Sequence, residues 1–183
     1  MRKENKTYRV AFMGISGALA LVLGFLEHML IPDIPFLPVG AKPGLSNIVT
    51  MYVIESAGLA GGIYITVIKG AFALVTRGVT AALMSLVGGL MSCLITALLI
   101  KKKDSFSFIG IGIAGALMHN LGQLTVACLI SGTPSLFGYG KYLMIFALIT
   151  GAVTGSMLLL VMPGIDRISK TMNVRINNKE MKK

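Results

Sequence analysis

The stretch Gly78–Ile100, GVTAALMSLVGGLMSCLITALLI, contains no Asp, Glu, Lys or Arg and ends abruptly at Lys101-Lys102-Lys103. A helix needs roughly 20 apolar residues to cross the hydrocarbon core of a bilayer, so this stretch is long enough to span one. Residues 142–165 form a second uncharged run of spanning length, and 10–26 and 105–140 also lack charge. The whole chain agrees: its 183 residues are 55% hydrophobic and 13% charged, where a soluble domain carries about 25% charged residues. Mean hydropathy is +0.81. These values exclude a soluble globular domain and a disordered chain, and identify an integral membrane protein.

A net charge of +10 would suit a nucleic-acid binder, but its placement argues otherwise. Of 17 Lys and Arg, four sit at the N-terminus (Arg2, Lys3, Lys6, Arg9), three form Lys101–Lys103, and six lie between Arg167 and Lys183. Those thirteen flank apolar runs, as expected of cytoplasmic loops. No basic patch is interleaved with aromatics, so no nucleic-acid partner is expected. The basic tail also suits contact with anionic membrane lipid. Cys93 and Cys128 fall inside apolar runs and form no CxxC, so they read as packing residues. The first apolar run passes through Glu27-His28 without a small-residue cleavage site, and so does not read as a cleavable signal peptide.

The pattern predicts an all-α membrane protein with six transmembrane helices, at about 10–29, 44–58, 61–77, 79–100, 107–130 and 140–162. They form a single domain over 1–165, followed by a basic cytoplasmic tail over 166–183. With both termini cytoplasmic, the thirteen flanking basic residues lie inside, and Lys42, Arg77 and Lys141 lie outside or near it. The second and third helices are short, contain Glu55 and Lys69, and meet at Gly58-Leu59-Ala60-Gly61-Gly62, which suits a place against a polar interior rather than lipid. Between the first two helices, IPDIPFLPVGAK (31–42) holds three of the six prolines and reads as a stiff extracytoplasmic loop.

Small residues recur at helical spacing: Ser16, Ala20 and Gly24; Ser85, Gly89, Cys93 and Ala97; Ala147, Gly151 and Gly155. Such stripes let helix backbones approach closely within one bundle, or dock another membrane subunit.

Polar residues inside apolar helices mark candidate chemistry. His119, Asn120 and Gln123 share one broad face of the fifth helix and read as a ligand site or as an interhelical clamp. Lys69 lies mid-way along the third helix, with Arg77 at its outer end and Lys42 on the same side; together they could meet a carboxylate, phosphate or diphosphate. Arg77 equally suits snorkelling to the interface. Glu27 and His28 close the first helix, while Ser46 and Asn47 open the second, where a helix N-terminus favours an anion. Each is equally explained singly as an interfacial cap, and their clustering is what marks a mouth. No Walker motif, DDxxD, HExxH, GxSxG or CxxC is present, so an enzyme is not expected, nor a cofactor or metal site.

The segment Gly40-Ala41-Lys42-Pro43-Gly44-Leu45-Ser46-Asn47-Ile48-Val49 and the motif His119-Asn120-Leu121-Gly122-Gln123-Leu124 carry a resemblance. Over about residues 8–165 the chain resembles the bacterial Gx transporter proteins, often labelled heptaprenyl diphosphate synthase component I. These are similar to the substrate-binding S components of energy-coupling-factor (ECF) vitamin transporters. The resemblance implies a six-helix S-component fold in the bacterial plasma membrane, with an outward pocket closed by the loop after the first helix. It also implies an importer of a vitamin- or isoprenoid/flavin-related molecule, working with a membrane coupling subunit and ATPases. Ser16, Ala20 and Gly24 are the counterpart of the docking surface. The label instead implies a non-catalytic subunit associated with a polyprenyl (heptaprenyl) diphosphate synthase in quinone biosynthesis. The chain departs from the familiar vitamin binders in having no tryptophan.

Overall fold

The computed structural model describes residues 6–30, 44–102 and 105–180, and all of them outside turns are helical. The helices are α1 (Lys6–Leu30), α2 (Leu45–Arg77), α3 (Val79–Ile100), α4 (Phe108–Ser131) and α5 (Gly140–Glu180), with a short 3-10 helix at Pro134–Tyr139 before α5. Five stretches are long and apolar enough to cross a membrane: Thr7–Glu27, Leu45–Arg77, Val79–Ile100, Phe108–Ser131 and Pro134–Pro163. The expected second and third helices are the two parts of α2, which is interrupted at Gly58.

That element is not straight. At Gly58 the backbone leaves helical geometry (φ 76°, ψ −174°), a region open essentially to glycine alone. In a continuous helix Asn47 and Lys69 would stand about 33 Å apart, yet Lys69 Nζ donates to Asn47 Oδ1 at 2.9 Å. The chain therefore folds back at Gly58. The arms 45–57 and 59–77 pack against each other, Gly61 facing Val53 and Gly62 facing Ile54. The glycine-rich break seen in the sequence is a reversal of direction inside one element.

The arms differ in reach. Residues 45–57 make about 20 Å of helix, short of a full crossing. Gly44, just before them, lies against the Thr154 methyl group, well inside the Pro134–Pro163 stretch. So α2 starts within the bundle, not at its rim. A single residue, Gly78 (φ 86°), then turns α2 into α3, its amide donating to Leu74 O at 3.2 Å.

The helices pack in chain order, α1 on α2, α2 on α3, α3 on α4 and α4 on α5, and the start of α2 touches α5. Ala20, Val49, Val53 and Ile65 join α1 to both arms of α2. Met51, Ile111 and Leu158 join α2, α4 and α5. Between α4 and α5 the backbones themselves meet: a methyl on Gly112 would sit 2.5 Å from the Gly151 carbonyl oxygen and 2.9 Å from the Gly155 nitrogen. The Gly151/Gly155 stripe is thus spent on internal packing. So is the first: Ser16 and Ala20 are buried, Ala20 completely, and Gly24 faces Ser46. Of the two roles that such a stripe suits, the structure displays internal packing: that face of α1 is the one covered by α2. Outward, α1 shows Val10, Ile15 and Val22, and α5 shows Leu159 and Leu160, as lipid-facing surfaces do. Both cysteines are buried and free, Cys93 lying 3.2 Å from Thr66 Oγ1.

Gly58→Ala is expected to destabilise the protein by about 1–3 kcal/mol in a detergent thermal-unfolding assay, through backbone strain alone, since no atom lies within 4 Å of the added methyl. Gly14→Ala has the same free space in ordinary helix. It is expected to be neutral or stabilising by up to about 1 kcal/mol.

Candidate functional site

The fold-back of α2 sets up a cavity of about 350 Å³ reached by residues from all five helices. Three features of the local sequence place its polar groups. First, the reversal at Gly58 carries Lys69 back to the level of Asn47, where the ammonium donates to the amide oxygen at 2.9 Å. Second, Gly44 caps α2 without a side-chain hydrogen bond of its own. The Glu27 carboxylate at the end of α1 supplies the missing acceptor to the Leu45 amide, one of the end amides a helix cannot satisfy internally. Third, Gly112, Gly115, Ala116, His119, Asn120 and Gln123 recur at helical spacing along one face of α4, and that face lines the cavity.

Glu27, Asn47, Lys69, Arg77, His119, Asn120 and Gln123, all singled out in the sequence, line this cavity together. Lys42 lies outside the described residues, as does the side chain of His28. Of the residues expected to dock a partner, Ala20 and Gly24 line the cavity, and Ser16 is buried beside it.

Electrostatically the cavity is lopsided. Lys69 and Arg77 are the cations and Glu27 the carboxylate among its described Lys, Arg, Asp and Glu lining residues. Glu27 is buried at 4% exposure, bonds the start of α2, and also attracts Arg77. It therefore serves two positive ends at once, the helix dipole and the guanidinium. Lys69 donates to the Asn47 amide oxygen within the same cavity.

The opposite wall is neutral and hydrogen-bonding. Asn120 Nδ2 donates to the Leu143 carbonyl at 3.1 Å, fixing the amide against α5. On α3 the hydroxyls of Ser85, Ser92 and Thr96 line the space, and on α5 those of Thr150 and Thr154. The sequence reading missed all of these except Ser85, which it placed in a packing stripe. Their signal was present: Ser85, Ser92 and Thr96 recur at i, i+7 and i+11, and Thr150 and Thr154 at i and i+4. Hydroxyls are common in membrane helices, and spacing alone does not separate a cavity wall from a packing face. Apolar walls come from Leu21, Phe25, Met51, Ile54, Phe72 and Met84. Among the described residues no group of three or more His, Cys, Asp or Glu could hold a metal ion.

The chain belongs to the heptaprenyl diphosphate synthase component I family, whose model matches residues 17–161. That match contains every described residue of the cavity wall, from Ala20 to Thr154. No curated protein and no solved structure matches the chain significantly.

Glu27→Ala is expected to lower stability by about 1–3 kcal/mol, the cost of leaving a partly buried helix-end amide without its acceptor. Glu27→Gln retains an oxygen for the Leu45 amide and should lose less. Thermal unfolding of both variants in detergent checks the order.

Proposed function

We propose that this protein is the non-catalytic, ligand-binding membrane subunit of an importer, akin to the S components of ECF transporters, and that its cavity takes up a small anionic molecule. The observation that carries the reading is the cavity itself, with Lys69 and Arg77 set against a single carboxylate, Glu27, that is already committed to α2. Two cations lining one cavity favour a carboxylate or phosphate over a neutral or cationic solute. Asn47, His119, Asn120 and Gln123 complete the lining with neutral hydrogen-bonding groups. In this reading the two arms of α2 count as two of six spans, and both termini face the cytoplasm of a bacterial plasma membrane. The partners are a membrane coupling subunit and ATPases, and the ligand is vitamin- or isoprenoid/flavin-related.

The family's description favours a second reading: a membrane subunit associated with a heptaprenyl diphosphate synthase. There the contacts would fall on the cytoplasmic segment Lys101–Asp104, whose Lys101 and Lys102 are exposed, and on the basic tail.

Purification from native membranes in mild detergent, with mass spectrometry of every co-purifying protein, separates the two. A coupling subunit with ATPases is the expected outcome. A prenyl synthase recovered without ATPases overturns the importer, and charge reversal across Lys101–Lys103 should then abolish its recovery. The six-span orientation has its own check. In a background lacking Cys93 and Cys128, a cysteine at Ser135 should react with an impermeant maleimide on intact cells. One at Lys102 should react only after the cells are opened.

A further inference from the structure

Several cavity side chains have their hydrogen-bonding capacity fixed by the protein, and this decides what a ligand must bring. Thr154 Oγ1 donates to the Gly151 carbonyl at 3.0 Å, and Thr50 Oγ1 donates to the Ser46 carbonyl at 3.2 Å. Both hydroxyls are buried, and both line the cavity. A hydroxyl has one proton, so one that donates back to its own helix keeps only lone pairs for anything else. Asn120 spends an amide N–H on the Leu143 carbonyl, which orients its side chain and leaves Oδ1 as an acceptor. Asn47 is fixed in the opposite sense, its oxygen taken by Lys69 and its N–H groups left over.

The cavity therefore offers two kinds of group. Cations and N–H donors come from Lys69, Arg77 and Asn47. Lone pairs come from Thr50, Asn120 and Thr154. A ligand that carried only a negative group and a hydrocarbon body would meet the first kind and forgo the hydrogen bonds that the lone pairs of the second kind can accept.

Resting on the proposal of an anion-binding cavity, we infer that its ligand carries at least one hydrogen-bond donor, a hydroxyl or an N–H, in addition to its anionic group. The ligand class is a hydroxylated or amino-bearing acid or phosphate, not an anion whose remainder is purely apolar. The inference separates the two functional readings chemically, because the chain of a prenyl diphosphate offers no donor to Thr50, Asn120 or Thr154.

The test uses three probes of one shape: para-hydroxyphenylacetate, para-methoxyphenylacetate and phenylacetate. Binding is followed by thermal shift of the full-length protein in detergent micelles up to saturating millimolar concentration. The hydroxyl probe is expected to bind about fivefold more tightly than the other two, the worth of one well-made neutral hydrogen bond. Thr154→Val and Thr50→Val should each shrink that preference, and Thr154→Ser should keep it. Equal binding of all three probes, abolished by Lys69→Met, overturns this inference and leaves the anion-binding cavity standing. Absence of binding by every probe, or binding indifferent to Lys69→Met, overturns the anion-binding reading and the inference with it.

Discussion

A lysine half-way along an apolar helix must have a polar place for its ammonium group, and the protein is arranged around providing one for Lys69. Charge at that depth costs several kcal/mol unless it is paired, hydrogen-bonded or wetted. The reversal at Gly58 answers this by laying the first arm of α2 alongside the second, so that Asn47 receives the ammonium at 2.9 Å. Once α2 is folded in this way its N-terminus lies inside the bundle and needs an acceptor of its own, which Glu27 supplies from α1. Glu27 also attracts Arg77, which lines the same cavity. One constraint thus propagates through α1 and both arms of α2, and the cavity is the space these groups share with α3, α4 and α5.

The other side of the cavity is held by backbone proximity. In lipid, hydrophobicity does not drive helices together, and close approach through small residues takes over. Gly88 meets the His119 carbonyl, Gly122 meets Gly88, and Gly112 meets Gly151 and Gly155, each so closely that a methyl group would collide with backbone. These contacts hold α3, α4 and α5 at fixed spacing, which fixes where His119, Asn120 and Gln123 stand. Polar groups on one wall and glycine contacts on the other are two parts of a single arrangement.

Much of this was readable in the sequence because charge and polarity inside apolar runs are rare. Lys69, Asn47, Glu27, Arg77, His119, Asn120 and Gln123 stood out on that ground, and they do line one cavity. What binds there is a separate matter that no pattern of residues names. Other features were hidden for physical reasons. Spacing shows which residues share a helix face but not which neighbour that face meets, so the stripe of Ser16, Ala20 and Gly24 read as a docking surface although α2 covers it. The break at Gly58–Gly62 announced a change of direction, but not that the first arm would be half a span long or begin against Thr154. Thr50, Ser92, Thr96, Thr150 and Thr154 were invisible as a group because the cavity gathers them from α2, α3 and α5.

The short first arm of α2 also bears on how the protein is made. At about 20 Å it is too short to be taken up by a membrane as a helix on its own, and it carries Glu55. The second arm has nearly the required length but carries Lys69. Neither segment is a good independent substrate for the insertion machinery, where a charged side chain at a helix centre weighs about 2.5–3.5 kcal/mol against entry. The two arms therefore depend on each other, on α1 and on α3 for a stable place in the membrane, so the cavity they frame is a property of the assembled bundle and not of any one segment.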